Sequence, residues 1–90
     1  MILDNIHNHY EKLVFDEVLA HQTKLGASFE EEMLEDVVCV ALNNLPARYV
    51  RHSVDIAFYL TVPEREQMDK LVRNAVKGAF DLVTKNPHQD

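Results

Sequence analysis

The residue types best suited to bind a ligand are concentrated in the segment that follows Pro46. Arg48, Tyr49, Arg51 and His52 lie close together there. Residues 37–54 contain no Asp or Glu, although the whole chain has 15 acidic residues against 9 Lys and Arg. A locally cationic segment on an acidic protein attracts small anions. The alternative is structural, with these side chains capping a helix and pairing with the many acids, and the residues alone favour it.

The chemistry that this segment suits is recognition of a nucleotide. Arginine meets a phosphate with two parallel hydrogen bonds and also stacks on a purine ring. Tyrosine rings stack on bases, asparagine amides read base edges, and a carboxylate accepts a hydrogen bond from a guanine amino group. We therefore predict ligand contacts first from Arg48, Tyr49 and Arg51. The secondary candidates are Asn43, His52, Asp55 and Tyr59.

The sequence shows no arrangement typical of an enzyme. His7 and His9 are two residues apart and would face different directions on a helix. With only two glycines, the chain has no phosphate-binding glycine loop. A metal site at Glu30 to Glu32 is less favoured than a helix start whose acids match the helix dipole. We predict no catalytic residue, no metal and no cofactor.

Three long helices are expected to position the candidate residues. The first runs from about Leu3 to Lys24, where apolar residues recur at helical spacing, and Gly26 is its expected C-terminal cap. Phe15 and Leu19 form a second apolar stripe on this helix, which suggests a partner surface.

The second helix is expected to be central. Ser28 and Glu31 fit a capping box at its start. Residues 37–42 are apolar around most of the helix circumference, so the helix and its Cys39 should be buried. It should end at residues 44–45, because the proline that follows disfavours helical geometry in the residue before it.

The last part of the chain contains one ambiguous segment and one clear helix. Residues 52–60 fit either a short strand or a short helix, and Ser53 as a cap favours the helix. Thr61 and Glu64 form a capping box for a long last helix with a continuous apolar stripe. Gly78 interrupts that helix, either to permit a close helix crossing or as a merely tolerated residue.

The composition predicts one small domain, residues 1–90, that gains stability by self-association. A chain of 90 residues buries a smaller fraction of its surface than a larger domain, and this one has a hydrophobic content of 47% and no disulfide. The predicted fold class is all-α: a small helical domain of three long helices plus one short element, packing as a homodimer.

The charge and the N-terminal residues predict a cytoplasmic protein. Acidic residues interrupt the N-terminal segment, so it does not fit the pattern of a signal peptide. No apolar run is long enough to span a membrane. A single cysteine suits a reducing compartment. The net charge of -6 argues against binding to duplex nucleic acid. Neither a membrane nor duplex nucleic acid is therefore expected as a partner.

Residues 36–50 resemble the signature of the late competence development protein ComFB family. The family pattern is an aspartate, an apolar stretch and then Ala-Leu-Asn-x-Leu-Pro-x-x-Tyr, and this chain reads Ala-Leu-Asn-Asn-Leu-Pro-Ala-Arg-Tyr from Ala41. Asn8, Glu11 and Val14 look like a second family element, N-x-x-E-x-x-V. An amphipathic C-terminal helix completes the family layout, so the resemblance covers nearly the whole chain.

The resemblance implies a bacterial, helical homodimer without enzymatic activity. Such a protein would receive a cyclic dinucleotide, cyclic di-GMP above all, and would signal to a protein partner in competence, motility or surface-lifestyle control. Many family members hold zinc with cysteines just before the signature aspartate. Residues 28–35 contain no cysteine, so this chain resembles a branch without that metal. The rival hypothesis is a ligand-free helical adaptor whose arginines pair with acids across an interface.

Overall fold

The computed structural model describes residues 2–26, 28–51 and 60–85. The elements follow one another in this order: a 3-10 helix at Ile2–Asn5, β1 at His7–Asn8, α1 at Tyr10–Leu25, α2 at Glu31–Asn43, β2 at Tyr49–Val50 and α3 at Val62–Lys85. The two strands pair antiparallel, with His7 opposite Val50 and Asn8 opposite Tyr49. The mostly helical fold with three long helices is confirmed, and the small sheet was not predicted.

The core lies where the three helices meet. α2 packs chiefly on α3, and α1 packs on both. The buried apolar side chains are Tyr10, Val14 and Val18 from α1, Val37 and Ala41 from α2, Leu45, and Met68, Val72, Val76, Ala79, Phe80 and Val83 from α3. Each fully buried valine contributes about 1.5–3 kcal/mol relative to an exposed one. Six of these twelve side chains come from α3, which makes it the main support of the domain.

The start of the first helix differs from the prediction. α1 begins at Tyr10, and the residues before it form the 3-10 helix and β1. The physical reason is Asn8, whose side-chain oxygen Oδ1 accepts a hydrogen bond from the Tyr10 N–H at 3.2 Å. An asparagine that bonds the backbone two residues ahead favours a helix start over a helix interior. Leu3 and Ile6 are consequently exposed and do not join the core face.

The end of α1 agrees with the prediction. Gly26 has φ 65° and ψ 23°, in the left-handed region, and its N–H donates to the carbonyl of Thr23 at 3.1 Å. Phe15 and Leu19 are exposed at 55% and 42%, so the second apolar stripe of α1 does lie outside the core.

The start of α2 was predicted incorrectly. The helix begins at Glu31 with Glu30 as the N-cap residue, and no side-chain bond caps it. Ser28 is exposed, and the neighbouring Phe29 N–H donates instead to Gln22 Oε1 at 3.3 Å. The Phe29 ring also packs on the ring of Phe80, with 5.5 Å between centroids. These contacts with α1 and α3 fix the approach to α2 in place of the capping box.

The burial of α2 was also overestimated. Val37 and Ala41 are fully buried, but Val38, Val40 and Leu42 are only half-buried. Cys39 is exposed, which corrects the expectation of a buried thiol. A helix that packs on two neighbours covers only part of its circumference with protein, so apolar residues on its other side stay partly in contact with water. α2 ends at Asn43, within a residue or two of the predicted position.

α3 follows the prediction more closely. The Glu64 N–H donates to Thr61 Oγ1 at 3.2 Å, which confirms the N-terminal cap. Most of the apolar stripe is buried, but Leu71 and Ala75 are half-buried and Leu82 is 49% exposed. Phe80 was not predicted in the core and is 2% exposed. The ambiguous segment at residues 52–60 lies outside the described residues apart from Leu60, which is half-buried against the core.

Candidate ligand-binding site

Residues 46–51, named here the elbow, lead from the end of α2 through β2 and contain the first candidate residues. The end of α2 fixes where the elbow begins. The Asn44 backbone N–H donates to the carbonyl of Ala41 at 3.1 Å, and its side-chain amide donates to the carbonyl of Val40 at 3.0 Å. Leu45 is then buried in the core. A closed helix end and a buried leucine therefore anchor the chain immediately before Pro46.

Asn8 fixes the other side of the elbow. Its Oδ1 accepts a second hydrogen bond, from the backbone N–H of Arg48, at 3.0 Å. The carbonyl of Arg48 accepts from the backbone N–H of His9 at 2.7 Å. Both backbone groups of Arg48 are thus bonded to the residues that precede α1. The pairing of β1 with β2 extends this contact through Tyr49 and Val50.

The candidate side chains of the elbow are directed to solvent. Arg48 and Arg51 are exposed, and Tyr49 is 68% exposed. Successive residues of a strand point to opposite faces, so the half-buried Val50 faces inward while Tyr49 faces outward. No ion pair joins Arg48 or Arg51 to another described residue. Within the described part of the chain, the structural alternative of arginines paired with acids is therefore not observed.

The positions of the remaining candidates differ. Asn43 is exposed at the last residue of α2, just before the turn into the elbow. His52, Asp55 and Tyr59 lie outside the described residues. The structure thus places all four described candidates on exposed positions, Asn43 at the last residue of α2 and Arg48, Tyr49 and Arg51 in the elbow.

The electrostatic environment of the elbow is cationic. Burial, the neighbouring His7 and the positive charge of Arg48 lower the pKa of His9 below its ordinary value of 6.5. Burial raises the pKa of the Tyr10 hydroxyl above 10.0, and Arg48 opposes that shift. The charge of Arg48 therefore reaches both neighbours, as it would reach an anion bound at the same place.

A cavity of about 400 Å³ lies elsewhere, between α1 and α3. The residues that line it are Leu13, Asp16, Glu17, Ala20, Asp69, Val72 and Arg73. None of them belongs to the elbow, and three are acidic, so this cavity does not suit a phosphate. Across the described residues, no group of three or more His, Cys, Asp or Glu side chains is arranged to hold a metal ion.

Sequence reasoning missed Asn8 and His9 as parts of the site. They contribute a side-chain acceptor and a backbone donor that hold Arg48, which lies 40 residues after Asn8 in the sequence. A contact at that separation has no local spacing that reveals it. The available signal was the preference of asparagine for positions just before a helix.

The family model of the late competence development protein ComFB matches residues 7–87. The chain belongs to the ComFB family. The match extends from β1 to just beyond α3, so it includes the elbow and both strands. Among curated proteins, none matches this chain.

The two stretches that resemble the ComFB pattern are in direct contact. Asn8 begins the first stretch, and Arg48 lies in the second, and the Asn8 side chain holds the Arg48 backbone. In the same first stretch, Val14 is buried in the core and Glu11 is exposed. Within the described residues, no helix is long and apolar enough to cross a membrane.

Proposed function

We propose that this chain is a non-enzymatic, homodimeric regulatory protein that binds a cyclic dinucleotide at the elbow. Cyclic di-GMP is the first candidate, since it has two phosphates for arginine and two guanines for aromatic stacking. The observation that supports the proposal is the exposure of Arg48, Tyr49 and Arg51 on a backbone held from both sides. Neither guanidinium pairs with a described acid.

The fixed backbone matters because a ligand that must order a mobile loop binds more weakly, since ordering costs conformational entropy. Arg48 is already held by Asn8 and His9 through two hydrogen bonds to its backbone. Only the side chains of Arg48, Tyr49 and Arg51 would need to be ordered by the ligand. In a two-fold dimer, two elbows would present the same groups to a ligand that is itself two-fold symmetric.

The regulatory role rests on the family. ComFB membership points to competence development, and we propose a bacterial, cytoplasmic protein that signals to a protein partner in competence, motility or surface-lifestyle control. No metal or cofactor is part of this proposal.

The test is calorimetric titration of the protein with cyclic di-GMP, cyclic di-AMP and the linear dinucleotide. We expect saturable binding of a cyclic form and weaker binding of the linear one. Arg48→Ala and Arg51→Ala should each weaken binding about ten- to a hundredfold, the effect of losing one charge-assisted hydrogen bond. Helical content should not change, because both side chains are exposed.

The matched control is Arg73→Ala, which removes an exposed arginine that lines the cavity between α1 and α3. It should leave dinucleotide affinity within about twofold of the unsubstituted protein. Absence of saturable binding by every cyclic form would contradict the proposal. The second candidate function, a ligand-free helical adaptor, would then be favoured, and the exposed Phe15 and Leu19 support that candidate.

A further inference from the structure

The helix α3 has a second apolar stripe beside the one that forms the core. Leu71, Ala75, Gly78 and Leu82 recur at spacings of four, three and four residues, which places them along one face. Leu71 and Ala75 are half-buried, Gly78 is exposed, and Leu82 is 49% exposed. We call these four residues the α3 seam. Leu71 and Ala75 also touch the edge of the core, but none of the four is fully buried by the described residues.

Gly78 is the most informative residue of the seam. A Cβ atom added at this position would meet nothing within 4 Å, so no described neighbour approaches the helix there. A glycine in a helix interior costs about 1 kcal/mol relative to alanine. The packing among the described residues of one subunit does not account for that cost. Close approach of a second helix would, because glycine permits the shortest distance between backbones.

The seam is self-complementary under two-fold symmetry. Consider two α3 helices packed antiparallel and centred between residues 76 and 77. Leu71 then lies opposite Leu82 of the partner subunit, and Ala75 lies opposite Gly78 of the partner subunit. The small residues meet at the centre, where the helices are closest, and the leucines fill both ends. A two-fold interface requires this kind of pattern, which matches itself when reversed.

The charges beside the seam fit the same arrangement. Lys70 and Asp81 are exposed on one flank of α3. Within one chain they are 11 residues apart, about 16 Å along the helix, which is too far for an ion pair. In the antiparallel pairing, Lys70 lies next to Asp81 of the partner subunit, and symmetry repeats that pair. Lys70 and Asp81 therefore attract across the interface in this register, whereas Lys77, on the same flank, lies near its own copy.

The thickness of the molecule explains why this side is uncovered. The chain measures 39 × 33 × 19 Å, and the smallest dimension equals about two layers of helices. Each helix of a two-layer domain keeps an outer side without a neighbour. A second subunit would cover the outer side of α3.

We infer that the α3 seam is the surface on which a second copy of this chain binds, with the two α3 helices antiparallel. This inference rests on the proposed homodimer and adds the face and register of its interface. It does not involve the elbow, so it can fail while the proposal of ligand binding stands.

The first experiment compares Gly78→Glu with Lys77→Gln by sedimentation equilibrium without ligand. Both variants change the net charge by one unit at adjacent positions, but Lys77 lies on the flank of α3 and outside the seam. Gly78→Glu should raise the dimer dissociation constant at least tenfold, because a carboxylate would be buried at the closest contact. Helical content should persist, since the space at Gly78 is open in one subunit. Lys77→Gln should remain dimeric.

The second experiment tests the register by exchanging the flank charges. Asp81→Lys and Lys70→Asp should each raise the dissociation constant severalfold, because each places like charges across the interface. The double variant should restore the original value. Restoration reports contact between subunits, since the two residues of one chain are too far apart to interact.

The outcomes separate the dimer from its interface. A single-subunit mass at every concentration tested would overturn the homodimer and this inference together. If the Gly78→Glu variant stays dimeric, the protein forms a dimer but the α3 seam is not its interface. Dissociation of the dimer by Phe15→Glu instead would lead to the same conclusion. Dinucleotide titration of the elbow reports on ligand binding independently of both.

Discussion

Asn8 is the residue that connects the site to the rest of the molecule. One side-chain oxygen accepts from the N–H of Tyr10, which starts α1, and from the N–H of Arg48 in the elbow. A neutral asparagine can accept two hydrogen bonds at that oxygen while its amide remains free to donate. A single side chain thus sets both where the first helix begins and where the candidate arginine lies.

Replacing Asn8 should therefore affect stability and binding together. Asn8→Ala leaves two backbone N–H groups without this acceptor and should lower the free energy of unfolding by about 1–2 kcal/mol. It should also weaken dinucleotide binding, whereas Asn8→Asp retains the acceptor and should lose less of both. Urea denaturation and calorimetry provide the two measurements. Asn74→Ala, an exposed position on α3, should change stability by less than about 0.5 kcal/mol.

His9 gives the protein a pH dependence whose sign follows from its environment. Its pKa is lowered by burial, by His7 and by Arg48, so the folded state binds a proton more weakly than the unfolded state. The free energy of unfolding should consequently decrease as the pH falls from 6.5 toward the pKa of His9 in the folded state. Above pH 6.5, His9 is neutral in both states, so the protein keeps its full stability there.

The corresponding measurement is urea denaturation of the unsubstituted protein and of His9→Gln at pH 7.5, 6.5 and 5.5. The variant has no group that titrates at this position, so its stability should decrease less over that interval. Lys24→Gln, an exposed change on α1, should keep the original pH profile. Identical profiles for the unsubstituted protein and His9→Gln would show that His9 does not cause the dependence.

At the scale of the elements, the helix ends governed by local chemistry are the ones the sequence predicts well. Gly26 adopts the left-handed conformation that closes α1, and Thr61 caps α3. Both depend on hydrogen bonds between residues three apart. The start of α2 is different, because Phe29 bonds to Gln22 and packs on Phe80, and those partners come from other helices.

The closure of α1 leads to a prediction about Gly26. A side chain with a Cβ atom is strained at φ 65°, so Gly26→Ala should lower the free energy of unfolding by about 1–2 kcal/mol. Nothing lies within 4 Å of that Cβ, so the effect would arise from the backbone alone. Gly26→Asn should cost less than Gly26→Ala, because asparagine tolerates this conformation better. Thermal unfolding of the two variants under identical conditions makes the comparison.

At the scale of the whole molecule, the domain is a thin two-layer bundle of three helices that leaves many apolar side chains exposed or half-buried. The exposed or half-buried sets on the three helices are Phe15 and Leu19 on α1, Val38, Cys39 and Leu42 on α2, and Leu71, Ala75 and Leu82 on α3. A chain of 90 residues cannot enclose all of its apolar surface. That surface is the physical basis for the proposed homodimer, and the α3 seam is the part of it that matches itself under two-fold symmetry.

The sequence by itself determined the three helices, the caps at Gly26 and Thr61, the cationic segment after α2 and the resemblance to the ComFB family. These features depend on residue type and on spacings of a few residues, which a linear pattern records. Only the tertiary structure decided that Asn8 holds Arg48, that Cys39 is exposed, and that Leu82 and Gly78 lie outside the core. Those facts depend on which helix faces which, and that is set by packing between residues far apart in the chain.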